Sequence, residues 1–159
     1  EELCDEEWTT VRAGIEAALA DLQAFRRQEG AALEKKFHEK IDNIEVPNLE
    51  VIGDVDDAEL LIVGFGSTYG HLRAAMEEMR AAGKKVAMTQ FRYINPLPKN
   101  TAEVLKKYPK VVVAEQNMGQ LAGYLRMKVD GFVPAQFNEV KGQPFKVNEL
   151  VEYFNSLIK

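Results

Sequence analysis

The sequence predicts an α/β fold: a mainly parallel sheet between helices, preceded by N-terminal amphipathic helices. Three observations carry this. The run Glu59-Leu-Leu-Ile-Val63 is short and, after its first residue, wholly apolar, as expected of a strand buried on both faces. It stops at the glycine-rich stretch Gly64-Phe-Gly-Ser-Thr-Tyr-Gly70, beyond which Leu72, Ala75, Met76 and Met79 recur at helical spacing. Strand-like and helix-like runs then alternate towards the C-terminus, the pattern of a parallel sheet with right-handed crossovers.

In chain order, residues 1–45 form a helical segment and residues 46–159 the α/β domain. Trp8, Val11, Ile15, Ala18, Leu22 and Phe25 mark one apolar stripe, with Asp5, Glu6 and Glu7 suited to a helix start. Gly30 interrupts the pattern, which resumes out of phase at Leu33, Phe37, Ile41 and Ile44, so two helices or one helix with a shifted seam fit equally. Pro47 and Asn48 break the helix. Leu49, Val51 and Val55 read as a short exposed strand with a turn at Gly53-Asp54. Gly83 suits a helix end, and Lys85 to Thr89 a second strand. Thr101 suits an N-cap, with Val104 and Leu105 on the buried side of a short helix. Val111 to Ala114 is a β-branched strand, and Leu121 and Leu125, with Tyr124, mark a third helix after it. Phe132-Val133 and Phe137 suggest a last strand. Val147, Leu150, Val151, Phe154 and Leu157 make an amphipathic terminal helix.

Composition narrows the function. The 159 residues are 46% hydrophobic and carry a net charge of −5, which argues against a nucleic-acid partner. The single Cys4 leaves no intrachain disulfide and no cysteine set for a cluster or zinc site. No apolar run approaches the roughly 18 residues of a spanning helix. The expectation is a cytoplasmic protein with no membrane contact.

In such sheets function gathers at the carboxyl ends of the strands. The loops at 64–70, 90–98, 115–119 and 136–145 are therefore expected along one edge. Gly64, Gly66, Ser67 and Thr68 form a candidate phosphate cradle at a helix start. Their pattern, GxGxxxG, is one residue longer than the dinucleotide fingerprint, and Thr89, Gln90 and Arg92 stand where an acid would bind a ribose. A nucleotide-binding Rossmann-like domain is thus an alternative; the plainer reading is glycines needed for a close turn. Glu115 ends a strand at this edge, fit either for acid–base work or for accepting backbone N–H groups of the next loop. His38 and His71 lie in different segments without metal-ligand spacing. No GxSxG elbow surrounds Ser67. No catalytic or metal-binding residue is assigned.

Two resemblances add to this. Ala17-Ala-Leu-Ala-Asp-Leu22, Phe25 to Leu33 and Phe37 to Ile44 resemble the helical region of YicC-like proteins, which implies an RNA-binding or ribonuclease-related alternative; either two sources are fused near Ile41 to Val46 or the helical match is fortuitous. Leu60-Leu-Ile-Val-Gly-Phe-Gly-Ser-Thr-Tyr-Gly-His-Leu72, Arg92 to Pro98, Val113 to Ala122 and Lys141 to Phe145 resemble the C-terminal domain of the α subunit of 2-oxoacid:ferredoxin oxidoreductases, especially the 2-oxoglutarate enzymes. The second resemblance implies a transketolase C-terminal-like, three-layer α/β domain from about residue 44. It further implies an accessory, subunit-contacting role in an enzyme that uses thiamine diphosphate, Mg²⁺ and iron–sulfur clusters, with none of these bound by this chain alone. The implied partners are a β subunit and the remaining α-subunit domains. Glu115, Asn117, Gly119, Gln120, Gly142 and Gln143 become candidate interaction-loop residues. The uncovered stripe of the first segment adds the expectation of a homo-oligomer.

Overall fold

A computed structural model describes residues 4–158, which fall into two compact units divided between Glu45 and Val46. The first is one helix, α1 (Asp5–Asp42), 38 residues long. Its alanines, leucines and long charged residues are strong helix formers. Acids occupy the first turn and Lys40 the last, each complementing the macrodipole. The Glu7 carboxylate accepts the Cys4 N–H at 3.0 Å, and the Arg12–Glu16 pair adds a contact one turn apart at 3.0 Å.

The helix runs straight through Gly30, which corrects the two-helix alternative. The shifted seam also disappears. Eleven residues make three turns plus about 20°, so Val11, Leu22 and Leu33 share a face, with Trp8, Leu19 and Phe37 beside them. Spacings of three and four break this phase at Gly30; the geometry of a single α-helix keeps it.

The second unit is a five-stranded sheet in the order β1-β3-β2-β4-β5. Strands β2 (Leu60–Phe65), β3 (Val86–Phe91), β4 (Val111–Glu115) and β5 (Ala135–Asn138) are parallel, while β1 (Val51–Gly53) runs antiparallel along β3. Leu61 and Val63 share a core with α3 (Thr101–Lys107) and α4 (Gln120–Lys128). Leu60 and Ile62, pointing the other way, share one with α2 (Tyr69–Ala81) and α5 (Val147–Leu157). The unit is therefore three-layered. The chain passes from β2 to β3 through α2 on one face. It returns through α3 on the other face to β4, on the far side of β2. That reversal is a topological switch point between the carboxyl ends of β2 and β4.

The predicted buried positions of α2 are the observed ones, and Gly83 (φ 83°) follows its last turn. Three details differ. Thr101 is not a cap but the first residue of α3; its hydroxyl donates to the Pro98 carbonyl at 2.6 Å. The last strand starts at Ala135, not Phe132, because Pro134 has no N–H to give the ladder; Phe132 is buried and Val133 is 78% exposed. The first strand is three residues long. Leu49 precedes it, buried, with its N–H and carbonyl both bonded to the Asn100 side chain, and Val55 lies in the turn beyond it.

That turn is pinned by charge. Gly53 adopts φ 94°, and the Asp54 carboxylate accepts Arg80 Nε and Nη2 at 2.9 and 3.0 Å and the Val86 N–H at 3.1 Å. The Arg80 hydrogen bonds hold the Asp54 carboxyl below the ordinary carboxylate range. Its folded-state value is thus below its unfolded one. The pair's contribution is present above the unfolded value and is lost as pH falls through the lowered one. Asp54→Asn should therefore lower the urea midpoint at neutral pH, with a deficit that narrows below about pH 4. A deficit unchanged in acid would show that the charge is not what holds the turn.

Candidate functional site

Because β2 to β5 are parallel, the loops after Phe65, Phe91, Glu115 and Asn138 leave from one edge, as the sequence predicts. The candidate residues form two groups along it.

The first group surrounds β2 and β3. Thr68 Oγ donates to the Phe65 carbonyl at 2.9 Å and accepts the Phe65 N–H at 3.2 Å, folding Gly66–Thr68 into one 3-10 turn that leads into α2. Gly66 takes φ 64°, a conformation that favours glycine. Gly64 answers a different need: a Cβ there would meet the Gln90 side chain, and Leu72 Cδ1 at 2.5 Å. The close approach at Gly64 is thus one of sheet to helix and to Gln90. Ser67 is exposed. Gln90 Nε2 donates to the Gly66 carbonyl at 3.0 Å, while its Oε1 is buried without a partner.

A cleft of about 150 Å³ opens here, with Asn48, Glu50, Tyr69, Gln90, Arg92 and Tyr93 among its walls. A second hollow of about 340 Å³ involves Phe65, Gly66, Tyr69, Gln90 and Arg92. Phe65, Tyr69 and Tyr93 are 44%, 39% and 47% exposed, and Arg92 makes no ion pair among the described residues. Three open aromatic faces beside a free guanidinium have the composition of a binding surface. The sequence places Gln90 and Arg92 in an edge loop where an acid is missing, and Arg92 within a motif of the resemblance, but gives neither a role. The signal passed over is Gln90-Phe-Arg-Tyr93, an arginine flanked by aromatics at a strand's carboxyl end.

The second group surrounds β4 and β5. Glu115 is 3% exposed. Its carboxylate accepts the N–H of Leu121 at 2.7 Å and of Ala122 at 2.9 Å, the second and third residues of α4. Asn117 Oδ1 accepts the N–H of Gly119 at 2.8 Å and of Gln120 at 2.9 Å. The first donors of α4 are therefore satisfied from within the chain, and the place an anion would take is filled by a carboxylate. Of the two roles open to Glu115, the geometry is that of a backbone acceptor. Gly119 adopts φ 89° with the Gln136 side chain against it, and Gln116 Nε2 donates to the Gln143 carbonyl at 2.7 Å, tying the 115–119 loop to the 139–145 loop. Gly142 (φ 65°) lies in that second loop. His71 and His38 belong to different units.

No described helix is long and apolar enough to cross a membrane. Among the described residues no three His, Cys, Asp or Glu side chains are placed to hold a metal ion, and Cys4 is exposed.

The model of pyruvate:ferredoxin oxidoreductase core domain II matches residues 58–150. The 2-oxoglutarate oxidoreductase subunit KorA of Mycobacterium tuberculosis is 40% identical over 154 residues, covering 91% of this chain and 23% of that protein. A solved 2-oxoglutarate:ferredoxin oxidoreductase from Magnetococcus marinus, with 2-oxoglutarate, coenzyme A and succinyl-CoA bound, superimposes with a TM-score of 0.70 at 27% identity. It covers 82% of this chain and 23% of that one. A split-gene transketolase in an inactive β4 tetramer shares the fold at a TM-score of 0.53 and 16% identity, over 73% of this chain and 43% of its own. The chain thus spans less than a quarter of KorA. Residues 46–159 are under three quarters of this chain, so a match over 91% of it runs into the helical unit; none of these relatives is YicC-like. The chain belongs to the pyruvate:ferredoxin oxidoreductase core domain II family and corresponds to part of the α subunit of a 2-oxoacid:ferredoxin oxidoreductase.

Proposed function

We propose that the chain is an accessory, subunit-contacting part of a thiamine-diphosphate-dependent 2-oxoacid:ferredoxin oxidoreductase and has no turnover by itself. The observation that carries this is its correspondence to 23% of a KorA subunit. The edge described above supports it: aromatic faces and one free arginine suit a protein contact, and nothing there pairs a nucleophile with a base. On this reading the partners are a β subunit, the remaining domains of an α subunit and a second copy of the chain. The phosphate-cradle residues Gly64, Gly66, Ser67 and Thr68 then shape the edge rather than hold a ligand.

The purified chain, given thiamine diphosphate, Mg²⁺, coenzyme A, 2-oxoglutarate and ferredoxin, is expected to show no reduction of ferredoxin. It should bind the matching β subunit or the remaining α-subunit domains. Tyr93→Ala or Arg92→Ala should weaken that binding by about tenfold or more. Turnover by the chain alone would overturn the reading. So would a rise in melting temperature with NAD(H) at saturating levels, since only a ligand of the native state produces one.

A further inference from the structure

We propose that α1 is a self-association helix through which two copies of the chain pair side by side and antiparallel, each acidic N-terminal half against the other's basic C-terminal half. This deepens the self-association in the reading above and rests on it, not on the oxidoreductase assignment.

The first observation is the apolar face. Eight large side chains from Trp8 to Phe37 are between 43% and 60% exposed. They lie within one arc of a continuous helix, so a single straight partner can cover them together. Their open surface comes to roughly the 800 Å² per partner of a standard interface. A long helix matching this stripe from end to end is present in every copy of the chain.

The second observation is charge, and it selects both the partner and the direction. Asp5, Glu6, Glu7, Glu16 and Asp21 stand against one base, Arg12, in the first half of α1. Arg26, Arg27, Lys35, Lys36 and Lys40 outnumber Glu29, Glu34, Glu39 and Asp42 by one in the second. Parallel copies would set acid on acid; antiparallel copies set acid on base and also oppose their helix dipoles.

Arg26 sharpens the choice. It is eleven residues from both Ile15 and Phe37 and therefore lies inside the apolar arc. In a parallel pair the two Arg26 side chains meet in the seam as like charges, with Glu29, three residues on and also inside the arc, as the nearest acid. In an antiparallel pair centred between Leu22 and Gln23, each Arg26 lies beside Leu19 of the second copy, within reach of its Glu16. The same register sets Glu7 towards Lys36 and Lys40, and Arg12 towards Glu34. Arg26 thus acts as an orientation device, disfavouring the wrong pairing while costing little in the right one.

The test uses the full 159-residue chain. Sedimentation equilibrium should show a dimer that weakens with added salt. Leu22→Glu should abolish it, and Arg26→Glu should weaken it by about tenfold or more. Adding Glu16→Lys to Arg26→Glu should restore part of the loss. These side chains are exposed, so circular dichroism should find every variant as helical as the parent. Under mild oxidation the native chain should not link through Cys4, because an antiparallel pair holds the two Cys4 residues some 50 Å apart. The Cys4→Ser, Gln23→Cys variant should link near the dyad. A monomer at every concentration overturns the proposal together with the self-association it rests on. A dimer indifferent to Leu22→Glu, or one linked through Cys4, leaves self-association standing and overturns the antiparallel α1 pair. The oxidoreductase reading is unaffected by any of these results.

Discussion

Glu115→Ala is expected to lower the stability of the α/β unit by about 3–4 kcal/mol, a large share of the roughly 5–15 kcal/mol of a typical domain. The carboxylate is buried at the end of β4 and accepts two N–H groups at the start of α4, at 2.7 and 2.9 Å. Removing it leaves both donors without an acceptor where little water reaches, and it empties a side-chain volume beside Leu121 and Ala122. Glu115→Gln keeps one acceptor oxygen, so about half of that loss is expected. Urea unfolding followed by circular dichroism gives both values. A Glu115→Ala chain as stable as the parent would mean that the carboxylate does not cap α4. If the Gln variant instead matched the parent in stability but lost binding to the β subunit, Glu115 would belong to the interaction surface rather than to the fold.

Gly64→Val is expected to cost about 2–3 kcal/mol by overpacking. Of the atoms a Cβ at Gly64 would meet, those of Gln90 end a flexible side chain and can swing aside. Leu72 cannot; it is fully buried, and its Cδ1 stands 2.5 Å from the new atom, so α2 has to move off the sheet. Gly66→Ala is the informative contrast. Nothing lies within 4 Å of its new Cβ, and only the φ of 64° resists it, at about 1 kcal/mol. Thermal unfolding of the two variants should rank Gly64→Val well below Gly66→Ala. The reverse order would point to backbone conformation, not close packing, as the reason for glycine in this loop.

Much of the domain was legible because its signals are local. The apolar run at 60–64 and the Leu72, Ala75, Met76, Met79 spacing differ in period, and each period belongs to one kind of element. The convergence of the loops on one edge followed from strand–helix alternation alone. Boundaries were less legible where one atom decides them: the absent N–H of Pro134 starts β5, and the Thr101 hydroxyl turns back to Pro98 instead of capping α3.

What the sequence determined by itself was the α/β class, the convergence of the loops on one edge and the family. The tertiary structure alone decided the role of Glu115, since a carboxylate serves equally as base or acceptor until the N–H groups six and seven residues on are brought to it. It alone assembled the cleft, because Tyr69 and Tyr93 meet only through the pairing of Phe65 with Phe91 across two parallel strands. It alone fixed the phase of the α1 stripe, because the seam is continuous only if Gly30 stays helical. The reason is common to all three. Periodicity reports which side of its own element a residue faces, whereas contacts between elements depend on register and packing that no local window contains.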